Sequence, residues 1–298
     1  MSLAAPVERR LTAFLPDEED LDQDNPIHAN SVAREQGFKA ALIPGPTLFG
    51  WTVPAVRDAL GDRWLHDGWA DIRYRRPVYP GEALIVRVAP PANSSKSDAG
   101  NADGPWELQV ANAAGDLVTV GQVGLGRASW YAELKRPTRI DIQPPREPRL
   151  PLTPDNIPVG QDLPARRLHI SPQEAADYAR AVQGDDDSLW RPSQGTGGAQ
   201  GLHPGWLALR GTETVRHTYR YGPSIQSRNQ IQHLAPARPG EIICAGHMAH
   251  GYERKGRHYA VADVLVLGRH DAGRANVGHD AEALTHLRYS VIYQLAPK

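Results

Sequence analysis

The sequence predicts an α+β protein built twice in tandem, each copy a buried helix followed by antiparallel strands. Two Pro-Gly turns recur at nearly one offset: Gly45 and Gly205 lie 160 residues apart, and Gly81 and Gly240 lie 159 apart. A repeated offset of this kind marks an internal duplication. Between the turns run short apolar segments, many alternating, punctuated by Gly, Pro, Asn and Asp, a hairpin pattern. The 26 prolines and 28 glycines among 298 residues suit many turns rather than a helical bundle.

Val7–Phe14 reads as a first strand, followed by an acidic run, Asp17–Asp24, and the turn Asn25-Pro26-Ile27-His28. Asn30-Ser31 can cap a short helix through Glu35, which Gly37 ends. Pro44-Gly45-Pro46 then opens a longer helix over Thr47–Leu60. Its stripe is Leu48, Trp51, Ala55 and Ala59, widened by Val56 and Leu60. Pro54 falls early in this helix and predicts a kink. Trp69–Tyr74, Ala83–Val88, Trp106–Asn112 and Leu117–Ala128 read as strands, with a polar loop over Pro90–Pro105.

Residues 1–136 form the expected first unit. Pro137–Pro164, with eight prolines, reads as an extended linker. Residues 165–298 form the second unit. There Arg166–Ile170 reads as a strand, and Ser171-Pro172-Gln173-Glu174 starts a helix running to about Val182. Gly184–Trp190 is a turn, and Leu202–Gly205 leads into the apolar segment Trp206–Leu209. Gly251–Gly256 is expected as a hairpin between Ile242–His250 and Tyr259–Leu267.

Composition narrows the function classes. A net charge of −1 gives no general attraction to nucleic acid or an anionic membrane. No apolar run approaches the roughly 20 residues of a membrane span. The single Cys244 cannot form an intramolecular disulfide, so a cytoplasmic, reducing location is expected. His247 and His250 stand three apart in a strand and face opposite sides, which disfavours a metal. Neither metal nor cofactor is expected. Arg73, Arg75 and Arg76 read as a solvated strand end, Asp185–Asp187 as a solvated helix terminus, and Cys244 as a buried hydrophobe.

The chemistry concentrates in Asp22–Trp51. Pro26 presets the turn that holds His28, and the Asn25 side chain can bond nearby backbone. An imidazole suits proton transfer near neutral pH. At Gly45 a helix begins, with N–H groups outside its own ladder and no side chain to block a ligand carbonyl. Such a start can hold an oxyanion or enolate.

These residues, DQDNPIHANSVAREQGF…LIPGPTLFGW, resemble the signature of the MaoC-like dehydratases, the (R)-specific enoyl-CoA hydratase group. The later PVYPGE and PARPGE turns resemble that family's Pro-x-x-Pro-Gly-Asp/Glu turn. The resemblance implies a tandem (double) hotdog fold, with antiparallel sheets wrapped round two central helices. It implies a pseudo-dimer within one chain, acting alone or as a homodimer, with an acyl thioester of coenzyme A or acyl carrier protein as substrate.

By the same resemblance His28 falls on the catalytic histidine, Asn25 on the family's asparagine, and Gly45 on the glycine that polarises the thioester carbonyl. Gln23 stands where the family has its catalytic aspartate; Asp22 and Asp24 flank it, and whether either replaces that carboxylate stays open. In the second unit Asp185 keeps the aspartate, while Asp187 replaces Asn and Trp190 replaces His. A dyad joining Asp185 to His28 is disfavoured, because the family's dyad lies within one unit. The implied reaction is hydration or dehydration. Other proton transfers in the same pocket, isomerisation or cyclisation, and acyl binding without catalysis are the alternatives.

Overall fold

A computed structural model describes residues 5–16, 25–91, 105–192, 200–269 and 281–295. The Pro90–Pro105 loop falls almost wholly outside the described residues, as do Asp22, Gln23 and Asp24.

The first half contains β1 (Val7–Thr12), a 3₁₀ turn at Pro26–His28, α1 (Asn30–Glu35), α2 (Gly45–Gly50), α3 (Val53–Leu60) and α4 (Trp64–Asp67). Then come β2 (Gly68–Tyr74), β3 (Ala83–Ala89), β4 (Trp106–Asn112) and β5 (Leu117–Leu125). The second half contains β6 (Leu150–Pro151), β7 (Asp162–Ile170), α5 (Pro172–Gln183), a 3₁₀ turn at Ser188–Trp190 and α6 (Pro204–Arg216). It ends with β8 (Tyr219–Arg220), β9 (Ile225–His233), β10 (Gly240–Arg254), β11 (Arg257–Arg269) and β12 (Glu282–Gln294).

Ten strands form one sheet in the order β1-β3-β4-β5-β2-β9-β12-β11-β10-β7. The order is a mirror about the β2–β9 junction, since β1-β3-β4-β5-β2 repeats as β7-β10-β11-β12-β9. The halves therefore share one hydrogen-bonded sheet. At the junction Trp69 pairs with Gln232 and Arg73 with Arg228. Arg228 also reaches Asp71 through two bonds of 2.7 and 2.5 Å.

Of the expected apolar stripe Leu48, Trp51, Ala55, Val56 and Leu60 are in the core, and Ala59 is partly buried against it. The helix itself is not continuous. Proline at 54 has no N–H for the Gly50 carbonyl, and its ring crowds that carbonyl. The chain divides into α2 and α3, and Thr52 Oγ1 donates to Phe49 O at 2.7 Å. Among the described residues only the second half has a long unbroken central helix, α6, where no proline interrupts residues 205–216. It crosses α2 at two glycines: a Cβ on Gly205 would lie 3.2 Å from Gly50 Cα.

Other local readings held or shifted for definable reasons. Ser171 and Glu174 make the expected capping box on α5. Gly37, at φ 86°, follows α1. Asn30 does not cap α1, because its Oδ1 accepts from Ala41 N at 2.9 Å and pins the chain ahead of α2. The second-half hairpin is tighter than expected. Its strands run to Arg254 and from Arg257, and Lys255 (φ 54°) and Gly256 (φ 69°) make the turn. Cys244 is fully buried, and burial pushes its thiol up to about 12. No helix among the described residues is long and apolar enough to cross a membrane.

Candidate active site

His28 ends its 3₁₀ turn with its ring buried. Nδ1 lies 2.7 Å from Leu42 O. A carbonyl oxygen can only accept, so Nδ1 carries the proton and Nε2 presents its lone pair. Asn25 Nδ2 stands 3.0 Å from Nε2 and is its donor. The same amide spans the two halves: Nδ2 donates to Ser224 O at 3.1 Å, and Ser224 N donates to Asn25 Oδ1 at 3.0 Å. Asn25 was expected to bond nearby backbone. Instead it leaves its own turn uncapped and fastens His28 to the start of β9.

Gly45 is the first residue of α2, so its N–H lies outside that helix's own ladder. Its carbonyl accepts from Tyr74 Oη at 2.8 Å, which holds the peptide in place. Burial pushes the Tyr74 phenol far above its ordinary range and keeps it a donor. A side chain at 45 would collide with the amide of Gln226, which lies against the glycine.

Asn25, His28 and Gly45 line one cavity of about 700 Å³. First-half walls include Phe38, Ile43, Leu48 and Val78, and the second half adds Tyr178, Val182, Leu209, Tyr289 and Ile292. Arg75, Arg76 and Arg257 also line it, and no acidic side chain does among the described residues. Arg75 and Arg76 are exposed just beyond β2, as the reading of a solvated strand end has them, and they also line the cavity. The candidates Gln23 and Asp24, and with them Asp22, lie outside the described residues.

No family model matches the chain, and no curated protein does. Solved structures similar over nearly its whole length include Rv0216, a conserved hypothetical protein from Mycobacterium tuberculosis with a double hotdog fold. It is 12% identical at a TM-score of 0.62, covering 98% of this chain and 96% of that one. The fold is a double hotdog. A protein assigned as a MaoC domain dehydratase from Chloroflexus aurantiacus is similar at 0.61, with 13% identity and 99% and 97% coverage. So is one assigned as an oleoyl thioesterase from Lactobacillus plantarum, at 0.50, with 11% identity and 99% and 98% coverage. At these identities the likeness is one of fold.

The second half of the double hotdog has filled the equivalent position. Trp190 ends the Ser188–Trp190 turn as His28 ends its own, and it is buried with Arg57 above its ring at 5.6 Å. Asp187 caps that turn, accepting from Leu189 N at 2.9 Å. The amide of Gln183 lies over Gly205 and Gly50, with Nε2 donating to Tyr178 Oη at 2.9 Å.

Asp185 corrects the sequence reading. It is not solvated: its side chain is 11% exposed and lies 3.5 Å from His203 Nε2. Gly184, at φ 63°, turns the chain inward there. Burial alone would raise the Asp185 carboxyl, but His203 and Trp190 beside it hold it below the usual range. Burial pushes His203 down. His203 Nδ1 accepts from Gly205 N at 3.1 Å, which leaves the Nε2 proton facing Asp185. Sequence reasoning missed His203, although its place just before Pro204-Gly205 was the available signal.

Asp185 therefore pairs with His203 and not with His28, and the pair carries structure. Asp185→Asn is expected to lower unfolding free energy by about 1–2 kcal/mol and to leave ligand binding in the cavity beside His28 unchanged. Urea titration and ligand titration check the two halves of that statement.

His247 and His250 form no metal cluster among the described residues. His247 Nδ1 instead meets Asp162 Oδ1 at 2.8 Å.

Proposed function

We propose that the chain is a MaoC-like hydratase or dehydratase that interconverts a 2-enoyl thioester and its 3-hydroxyacyl form. The supporting observation is a buried histidine of defined tautomer sharing one largely apolar cavity with the helix-start glycine Gly45. In the hydration direction His28 Nε2 takes a proton from water as the water oxygen bonds the β-carbon. Negative charge moves to the thioester oxygen, where the Gly45 N–H stabilises it. The imidazolium then returns the proton to the α-carbon. Asn25 or Gln23 orients the water, and Asp22 or Asp24 supplies a carboxylate. Arg75, Arg76 and Arg257 suit an anionic carrier, coenzyme A or the phosphopantetheine of a carrier protein. The division into units at residues 137–164 belongs to the same reading.

One observation favours a second reading. The Asn25 amide occupies Nε2, and no acid lines the cavity among the described residues. The occupied Nε2 fits acyl binding without turnover, and a site with no acid fits isomerisation or cyclisation by His28 as a lone base once Asn25 releases it. Purified protein incubated with 2-enoyl-coenzyme A thioesters of short to long chain is expected to add the mass of one water. Rearrangement at constant mass would replace the hydratase reading with isomerisation. Release of free thiol would mark thioester hydrolysis. Tight binding with no product would leave an acyl-binding protein.

A further inference from the structure

Gln226 is an unpaired amide placed at the reacting end of the cavity. Both Nε2 and Oε1 are buried, and neither has a hydrogen-bond partner. The residue lines the cavity and packs against Gly45. A buried polar group without a partner is costly and uncommon in a folded protein.

Two features hold it there. Val291 pairs with Gln226 and Ser290 with Arg228, so Ser227 is an extra residue in β9. Such a bulge re-aims the neighbouring side chains. The strand start is in turn clamped by Asn25 on both backbone groups of Ser224, two residues before Gln226. The second half offers a comparison, since Gln183 also lays an amide over its helix-start glycine, Gly205. There the site is filled and Nε2 donates to Tyr178 Oη. In the first half the corresponding amide has no partner, and its residue lines the cavity.

We infer that Gln226 is a carbonyl-binding residue of the first-half site, its amide N–H joining the Gly45 N–H on the thioester oxygen of the substrate. The inference rests on the acyl-thioester reading above. A residue of the second half thereby completes the oxyanion site of the first. A half-turn about the terminal bond exchanges the two ends of the amide, so the donor end can stand beside Gly45.

The test uses two unreactive probes. One is dodecanoyl carba-dethia-coenzyme A, in which CH₂ replaces sulfur and the carbonyl stays in place. The other is S-dodecyl-coenzyme A, a thioether with no carbonyl. Calorimetric titration of the wild-type chain is expected to show about tenfold tighter binding of the ketone. Gln226→Leu is expected to cut that preference to the share the Gly45 N–H supplies, about threefold, while holding the thioether affinity within about twofold. Gln226→Glu, nearly isosteric, does the same and serves if the leucine variant fails to fold by circular dichroism. A wild-type chain that binds both probes equally overturns the inference, as does a folded variant that keeps the full preference; in either case the thioester reading stands. Failure of wild type to bind either probe removes the thioester reading and the inference with it.

Discussion

Under the proposed hydratase reading, His28→Ala is expected to lower turnover of a 2-enoyl thioester by a factor of about 10²–10⁴, the ordinary contribution of a positioned general base. The loss is expected on kcat, because the apolar cavity wall and the lining arginines Arg75, Arg76 and Arg257 remain. The substitution also strands the Leu42 carbonyl and one Asn25 N–H, which costs about 1–3 kcal/mol of stability. The two effects separate by experiment. Turnover is measured well below the melting temperature of the variant, and binding of the non-reactive thioether is measured in parallel. Loss of kcat with retained binding is the expected result. A variant that is merely less stable, with kcat preserved in its folded fraction, would make His28 a structural histidine that joins α1 and α2 to β9.

The local half of this site was legible in the chain. The Asn-Pro-x-His turn and the Pro-Gly helix start announce themselves within about two dozen residues, and the structure lines one cavity with both. The long-range half was not. Asn25 looks like a residue for its own turn, and nothing near it in sequence points to Ser224, 199 positions away. The strand that provides Ser224 and Gln226 was itself invisible. Its sequence, IQSRNQIQH, has no apolar alternation, because Asn229, Gln230, Gln232 and His233 are buried at the junction of the halves. Hydrophobic periodicity reads strands with one wet face, and this strand has neither a wet face nor an apolar one. The β12 strand was missed although it was readable, since Leu287, Tyr289, Val291 and Tyr293 alternate with His286, Arg288 and Ser290. The symmetric offset of the Pro-Gly turns carried the double architecture even so, because turn chemistry is set locally and survives when the strands between diverge.

The polar junction has a consequence for stability in acid. His233 is almost fully buried, its ring edge-on to Trp64 at 4.9 Å, and its Nε2 has no partner. Burial, helped by repulsion from His66, pushes it down to about 3. His286, beside Tyr131 and Lys135 O, is pushed down to about 4 by burial. Arg136 and Arg288 add to that shift, and Asp263 and the Lys135 carbonyl oppose it. Both folded values lie below the ordinary histidine value of about 6.5. Between the two limits the unfolded chain binds protons that the folded chain refuses. Stability from these groups is therefore fully present above about pH 6.5 and falls as pH drops toward the folded values. From pH 7 to pH 5 each histidine removes on the order of 2 kcal/mol. Below that range the depressed carboxylates Asp162, Asp185 and Asp187 begin to add their own loss. Urea unfolding at the two pH values is expected to show a drop on the order of 4 kcal/mol, a large share of what a domain of this kind has. His286→Phe keeps the ring contact with Tyr131 and cannot titrate, so it is expected to remove about half of the drop. Unfolding free energies that match at pH 7 and pH 5 would mean that these rings take up protons in the folded protein, and that the junction admits water enough to solvate them.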